Sequence, residues 1–223
     1  NGRWAKTKGK LRLFGHKSGV KAVRETVEMS AQIGIKFLTL YAFSTENWSR
    51  PKSEVKSLMR LLISSINSET KTLLKNNIKL KSIGDTNLLP QDAKEQLNSS
   101  IEKTKNNNRM TLILALSYSG RWDIISAVKK IIKHKITSDK IDEQLFEQYL
   151  STKNVPNPEL LIRTSGEYRI SNFLLWQSAY SEFYFTDTLW PDFRKSDLEK
   201  AIIDFQSRER RFGNTVEQKN QAC

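Results

Sequence analysis

Residues Lys36 to Ser44 are KFLTLYAFS, a nearly continuous run of β-branched, aromatic and aliphatic side chains. Such a run predicts a strand that is buried on both faces of a parallel sheet, because a strand with one face in water would alternate with polar residues. Further strands are predicted at Ile78 to Ile83, Met110 to Ser117, Glu159 to Arg163 and Glu182 to Phe185. The fold is therefore expected to be built around parallel strands.

Amphipathic helices are predicted between these strands. Val20, Val23, Val27 and Ala31 recur at helical spacing, and Gly34 follows as a stop signal. The other predicted helices are Val55 to Leu73 with Ser53 as N-cap, Pro90 to Lys105, Asp123 to Ile132, Asp139 to Leu150, a short helix around Asn172 to Gln177, and a last helix opened by a capping box at Ser196 to Glu199 and closing on Arg208, Arg210 and Arg211. Alternation of strands and helices predicts a single α/β domain with a central, mainly parallel sheet flanked by helices.

Length, charge and cysteine content limit the class of protein. The chain has 223 residues, 38% of them hydrophobic, which is enough for one sizeable core. Its longest apolar run, Met110 to Leu116, is too short to span a bilayer, and its one cysteine, Cys223, excludes an intrachain disulfide. A cytoplasmic location is expected. The net charge of +13 predicts a polyanionic partner: nucleic acid, anionic lipid or a phosphorylated small molecule.

Polar and glycine-containing segments follow the predicted strands. They are Phe43 to Arg50, Ser117 to Asp123 and Arg163 to Ser171. Ligands of open parallel sheets bind beyond the carboxyl ends of the strands, so these segments are the expected binding site. Several arginines stand beside Gly, Ser, Asn or aromatic residues, as expected of guanidinium groups that bind phosphate. They are Arg3, Arg12, Arg50, Arg163, Arg169 and Arg211.

Six ordered motifs give the chain a family resemblance. They are NGRWA at Asn1 to Ala5, FGHK at Phe14 to Lys17, YAFSTENW at Tyr41 to Trp48, SGRWD at Ser119 to Asp123, RTSGEYRISNFLLWQ at Arg163 to Gln177, and ERRFG at Glu209 to Gly213. Together they resemble the cis-prenyltransferase family of the undecaprenyl diphosphate synthase type. The resemblance covers residues 1–213 as a catalytic domain and leaves 214–223 as a polar C-terminal tail.

The resemblance implies a fold with an apolar tunnel and a transferase that condenses isopentenyl diphosphate repeatedly onto an allylic diphosphate, expected to be farnesyl diphosphate. The product would be a cis-polyprenyl diphosphate, undecaprenyl diphosphate for cell-wall biogenesis. It also implies a Mg²⁺ cofactor, a homodimer that shares the ERRFG segment, no nucleic acid, and transient contact with the inner membrane surface. The tunnel is expected to be lined by Leu58, Leu61, Ala42, Ile78 and Met110, residue types that serve equally well as ordinary core.

Specific roles also come from the resemblance. The starter diphosphate is expected at Asn1, Gly2, Arg3, Arg12 and His16, with Trp4 beside it. Asn47 and Ser44 are implicated in the proton removal that follows condensation, although both residues also suit a local helix cap. Because an amide is a poor base, Asn47 is expected to orient the proton acceptor. Arg50 positions phosphate, and Thr45, Glu46 and Trp48 of the same motif are expected to bind substrate.

The isopentenyl diphosphate site is expected at Arg163, Arg169, Ile170 and Ser171, and Glu182 is expected to bind Mg²⁺. In the family, an aspartate stands two residues before the position of Asn1. We therefore expect the natural protein to have a longer N-terminus, with an extra strand that ends in this aspartate.

Two other classes of function are considered as alternatives to a prenyltransferase. A nucleic-acid-binding module would explain the net charge, but it predicts aromatic residues on an exposed sheet, whereas these strands are predicted to be buried. A non-catalytic partner subunit of a two-component cis-prenyltransferase would keep the fold and lose active-site residues. The intact FSTENW and RTSGEYRIS segments argue against that class.

Overall fold

The structure is a computed structural model that describes residues 1–210. It contains parallel strands alternating with helices, as the sequence predicts. The strands are β1 (Phe37–Ser44), β2 (Ile78–Ile83), β3 (Met110–Tyr118), β4 (Leu160–Arg163) and β5 (Glu182–Phe185). The helices are α1 (Gly2–Thr7), α2 (Arg12–Gln32), α3 (Lys52–Lys75), α4 (Gln91–Thr104), α5 (Gly120–Lys133), α6 (Glu143–Glu147) and α7 (Lys195–Ser207). Short 3₁₀ helices lie at Thr45–Ser49, Thr86–Leu88, Ser138–Lys140 and Trp190–Asp192.

The strands form two parallel sheets. The first has the order β1-β3-β2, and the second pairs β4 with β5. In register, Leu40 lies opposite Leu114 and Leu80 opposite Leu112, while Ile162 lies opposite Tyr184. The prediction of parallel strands flanked by helices is confirmed. Among the described residues, however, the strands are divided between two sheets, so β1 and β4 each present an unpaired edge.

Burial follows strand position. β3 lies between two strands, and its residues from Leu112 to Tyr118 are buried. β1 was predicted to be buried throughout, yet only Phe43 of its residues is buried and Phe37 is 38% exposed. The difference arises because β1 is an edge strand. One of its edges borders a cavity instead of another strand, so its apolar side chains are only partly covered.

One glycine explains how α1 packs on α2. A Cβ atom on Gly15 would lie 2.1 Å from the backbone oxygen of Asn1, a distance that no side chain tolerates. The glycine of the FGHK motif therefore allows the two helices to approach closely. This approach brings Asn1 beside His16, whose Nδ1 lies 3.3 Å from the Asn1 side-chain amide.

Several predicted helix boundaries were wrong. α3 begins at Lys52, after Pro51, so Ser53 lies in the first turn and is not the N-cap. α7 begins two residues before the predicted start: Arg194 is the N-cap, and its backbone N–H donates to Asp197 at 2.9 Å. Ser196 therefore lies inside the first turn and forms no capping box. α6 is shorter than the predicted Asp139 to Leu150, and α7 ends at Ser207, before the arginines.

The helix predicted around Asn172 to Gln177 does not form. This segment consists of turns, and Ser171, Asn172 and Leu174 have φ angles of 49°, 61° and 47°. Left-handed backbone interrupts the hydrogen-bond ladder of a right-handed helix. The apolar spacing of this segment instead serves to bury Leu174 in a cluster with Tyr118 and Ile113.

Within residues 1–210, no helix combines the length and apolar character needed to cross a membrane.

Candidate active site

A cavity of about 1570 Å³ lies between β1 and β4. Its lining includes consecutive residues of both strands, Phe37 to Phe43 and Pro158 to Ser165. Consecutive residues point to opposite faces of a sheet, so it is the unpaired edges of these strands that border the cavity. α2 and α3 form much of the remaining wall.

The inner wall of the cavity is largely apolar. Of the predicted tunnel residues, Ala42, Leu58 and Leu61 line it. Ile78 and Met110 do not; they are 0% and 1% exposed in the core between the sheet and its helices. For these two residues the ordinary core role is the one observed.

A first group of polar and cationic residues borders the cavity where α1 and α2 meet β1. It comprises Asn1, Gly2, Arg3, Arg12, His16, Asn47 and Arg50. The Asn1 amide donates to Nδ1 of His16, so the neutral ring carries its proton on Nε2, which is buried without a partner. Burial, assisted by nearby cationic groups, lowers the pKa of His16 to about 4. His16 is thus a neutral hydrogen-bond donor near pH 7, suited to an anionic oxygen.

One carboxylate joins two arginines of this group. Glu54, in the first turn of α3, accepts a hydrogen bond from Arg50 at 3.2 Å and lies 3.7 Å from Nε of Arg12. The pair draws together guanidinium groups from different elements, which would otherwise repel each other. Sequence reasoning missed Glu54, because only the folded chain places it beside Arg12.

A second cationic group lies at the end of β4. Arg163 borders the cavity, and its Nε atom is buried without a hydrogen-bond partner. Burial and then the charge of Arg169 lower the pKa of Arg163. A cation that is partly desolvated beside another cation favours the binding of an anion.

Glu167 links the two groups. Its carboxylate lies 2.6 Å from Nη1 of Arg3 and also pairs with Arg169. Partial burial opposes its ionisation, but the hydrogen bond and charge of Arg169, with Arg3, lower the pKa of Glu167. Sequence reasoning missed this residue too, although it is the only acidic residue in RTSGEYRIS.

The Tyr41 to Trp48 motif is held largely by its own contacts. Asn47 accepts a hydrogen bond from the Ser44 backbone N–H at 3.3 Å, which is the local cap that both residues suit. Trp48 packs edge-on against Phe43 and donates to the Ser117 hydroxyl at 2.9 Å. Ser44, Thr45, Glu46 and Trp48 do not border the cavity, whereas Asn47 and Arg50 do.

A buried carboxylate supports the same edge of the sheet. Asp123, 1% exposed, accepts from the Ser151 backbone at 2.8 Å, from the Tyr118 hydroxyl at 3.2 Å and from Gln177 at 3.3 Å. The bonds tie the start of α5 to the segments before β4 and β5. Asp123 stood in a quoted motif, but nothing in its spacing indicated burial.

Besides the four residues of the Tyr41 to Trp48 motif, four predicted residues lie away from the cavity lining. Arg169 is 62% exposed and pairs with Glu167. Trp4 is 8% exposed and donates to Asp192 at 2.6 Å. Ser171 is exposed, with left-handed backbone. Glu182 pairs with Arg208 at 2.9 Å.

The residues present do not by themselves fit a Mg²⁺ site. Mg²⁺ prefers octahedral oxygen ligation, usually from one or two carboxylates with water and substrate phosphate. The predicted ligand, Glu182, is already paired with Arg208, and residues 1–210 contain no group of three or more acidic, His or Cys side chains able to hold a metal.

Comparison with known proteins identifies the family. The family model described as "Putative undecaprenyl diphosphate synthase" matches residues 1–213, which include both cationic groups and the strands that border the cavity. The chain belongs to this family.

Two relatives and one solved structure illustrate the similarity. An isoprenyl transferase of Chlorobaculum tepidum is 55% identical over 98% of this chain and 84% of the relative. The ditrans,polycis-undecaprenyl-diphosphate synthase of Escherichia coli, named as specific for (2E,6E)-farnesyl diphosphate, is 48% identical over 96% of this chain and 87% of the relative. The lavandulyl diphosphate synthase of Lavandula x intermedia, solved with dimethylallyl diphosphate, has a TM-score of 0.92 at 40% identity and covers 95% of this chain and 93% of its own.

Proposed function

We propose that this protein condenses isopentenyl diphosphate repeatedly onto farnesyl diphosphate and produces undecaprenyl diphosphate. The observation that carries the proposal is the cavity itself: Arg3, Arg12 and Arg50 lie on its α-helical side, Arg163 lies on its β4 side, and an apolar wall extends inward. Two cationic groups suit two diphosphates. The apolar wall suits the growing hydrocarbon.

The chemistry requires little more than positioning and charge stabilisation. The C–O bond of the allylic diphosphate breaks and diphosphate leaves with the electron pair. The isopentenyl double bond forms the new C–C bond to the allylic carbon, and loss of a proton restores a double bond in the cis configuration. Guanidinium groups and the neutral His16 donor would stabilise the leaving diphosphate. Asn47, which borders the cavity, would orient the group that accepts the proton.

The test is turnover by the purified protein alone, as a chain extended upstream of Asn1 to include the family's aspartate. The chain is incubated with farnesyl diphosphate, radiolabelled isopentenyl diphosphate and Mg²⁺, and the extracted product is analysed by mass spectrometry. A cis-polyprenyl product supports the proposal and excludes a non-catalytic partner subunit. Binding of both substrates without turnover would favour that subunit, and salt-sensitive binding of nucleic acid without either activity would favour the third class.

We also propose a role for a segment preceding Asn1. The unpaired edges of β1 and β4 face the same cavity, and an added strand between them would join the two sheets into one. Such a strand would deliver the family's aspartate beside Asn1, at the cavity bordered by the cationic groups, where it could bind Mg²⁺ together with substrate phosphate. The experiment compares Mg²⁺-dependent turnover of residues 1–223 with that of a chain extended upstream. Equal and full activity of both would contradict this role.

A homodimer is proposed from the resemblance, and α5 offers a surface for it. Ile125, Val128 and Ile132 form a stripe along this helix, with exposures of 54%, 39% and 69%. A second copy would cover this stripe. Sedimentation should show a dimer for the native chain and a monomer for Ile132→Glu; a native monomer with full activity would refute the proposal.

Contact with the membrane is a separate proposal. The product is a long lipid, and the net charge of +13 favours anionic headgroups at its point of release. Co-sedimentation with anionic vesicles, but not with neutral vesicles, is the expected result; equal binding to both would contradict it.

A further inference from the structure

Asn172 connects three loops at the carboxyl ends of the strands. Its backbone oxygen accepts from the Gly120 N–H at 2.6 Å. Its side-chain oxygen accepts from the Arg121 N–H at 3.0 Å, and its side-chain amide donates to Oε1 of Glu46 at 2.8 Å. The loop after β4 is thereby bonded to the start of α5 and to the 3₁₀ helix that follows β1.

These contacts require the chemistry of asparagine. The side chain uses its acceptor and its donor at the same time, which an aspartate cannot do because an ionised carboxylate only accepts. The φ angle of 61° is in the left-handed region, which asparagine adopts more readily than most residues. Burial opposes ionisation of Glu46, but hydrogen bonds, led by that from Asn172, outweigh it and lower the pKa of Glu46.

The neighbours of Asn172 relate this junction to the proposed reaction. Phe173 stacks on Tyr41 of β1 with ring centroids 4.4 Å apart, and both residues border the cavity. On the other side, Ile170 borders the cavity and Ser171 belongs to the predicted isopentenyl diphosphate site. Glu46 directly precedes Asn47, which also borders the cavity.

We propose that Asn172 is a positioning residue. Through its hydrogen bond to Glu46, it holds the loop after β4, which carries the predicted isopentenyl diphosphate site, against the segment that carries Asn47. The inference rests on the proposed function. It adds that one side-chain amide, held in a fixed orientation, determines how the YAFSTENW and RTSGEYRISNFLLWQ motifs are placed relative to each other. Asn172 does not border the cavity and acts through the residues beside it.

The test variant is Asn172→Asp, which keeps the acceptor for Arg121 but places two carboxylates against each other. The matched control is Asn77→Asp. Asn77 also has left-handed backbone, with φ 57°, and its side chain also donates and accepts, to Asn108, at the opposite ends of the strands. Asn172→Asp should raise the KM for isopentenyl diphosphate about tenfold or more. The affinity for a farnesyl thiodiphosphate analogue and the unfolding temperature should match those of the control.

A rescue experiment separates positioning from general damage. In a Glu46→Gln background, the glutamine amide can donate to the carboxylate that Asn172→Asp introduces, which restores the bond with its polarity reversed. The effect of Asn172→Asp on KM should therefore shrink several-fold in this background. Should Asn172→Asp fail to fold, Asn172→Gly replaces it, since glycine keeps the left-handed backbone and removes both side-chain bonds.

The outcomes are distinct. All variants are made in the chain extended upstream of Asn1, and absence of turnover by that chain and by its Asn77→Asp variant overturns the proposed function itself. With both active, the inference on Asn172 is overturned by a KM equal to that of the control, by an equal loss in both backgrounds, or by a parallel loss of starter affinity and of unfolding temperature.

Discussion

Arg163→Ala is the substitution whose effect the structure specifies most closely. The Arg163 guanidinium borders the cavity, and its Nε atom is buried without a hydrogen-bond partner. Its pKa is lowered by burial and by Arg169. Of the arginines that border the cavity, Arg163 is therefore the one that a bound anion should stabilise most. A charge-assisted hydrogen bond contributes about 1.5–3 kcal/mol, so losing one should raise the KM for isopentenyl diphosphate roughly 10- to 150-fold.

The assay is steady-state kinetics with isopentenyl diphosphate varied at saturating farnesyl diphosphate. Arg60→Ala serves as control, because Arg60 is exposed on α3. Starter affinity, measured with the thiodiphosphate analogue, should change much less. Thermal unfolding of Arg163→Ala should occur at the same temperature as in the native chain or higher, since a partly buried cation beside Arg169 is removed. An active variant with an unchanged KM would refute the assignment of Arg163.

Further predictions concern the core, the C-terminus and pH. Leu61→Ala should shift the longest product beyond the undecaprenyl chain, because Leu61 lines the apolar wall of the cavity, whereas Met110→Ala, in the core outside the lining, should leave the product length unchanged; an unchanged product from Leu61→Ala on chromatography would contradict a role of this wall in setting product length. Truncation before Arg208 should abolish turnover while circular dichroism shows an intact fold, whereas removal of 214–223 alone should preserve activity. Full activity of the chain truncated before Arg208 would contradict a C-terminal element shared across the dimer. Arg211 and Gly213 of this element lie outside the described residues. Because the pKa of His16 falls from 6.5 to about 4 on folding, the unfolded state binds more protons between these values. The native chain should therefore lose stability relative to His16→Asn as pH falls from 6.5 to 4 in urea unfolding, and parallel curves would contradict the burial of His16.

The sequence predicted the positions of the five strands along the chain, because each is a short, largely apolar run bounded by polar or turn-forming residues. It could not predict where β1 would lie in the sheet. The run KFLTLYAFS is equally compatible with a central strand and with an edge strand that faces an apolar cavity. The helix predicted around Asn172 failed for a related reason: the spacing of its apolar residues cannot reveal that Ser171, Asn172 and Leu174 adopt left-handed backbone to satisfy contacts elsewhere.

The candidate site divides in the same way. Motifs identified the cations, because arginines beside glycine and serine are typical of phosphate-binding sites. They did not identify the carboxylates that arrange those cations. Glu46 and Asn172 are separated by 126 positions, and Arg3 and Glu167 by 164. Such pairs exist only once the strands are assembled.

The same carboxylates predict how the two diphosphates differ in their dependence on arginine. Arg3 and Arg12 are 59% and 64% exposed and already pair with Glu167 and Glu54. Exposed ion pairs contribute about 0–1 kcal/mol, so a diphosphate displaces the carboxylates at little cost but also gains little from each guanidinium. Arg163 has no hydrogen bond at Nε to break and is partly desolvated. We therefore expect the whole free energy of the new hydrogen bond to contribute to the affinity for isopentenyl diphosphate. Affinity for this substrate should depend mainly on Arg163, whereas affinity for the starter should depend on several arginines that each contribute less.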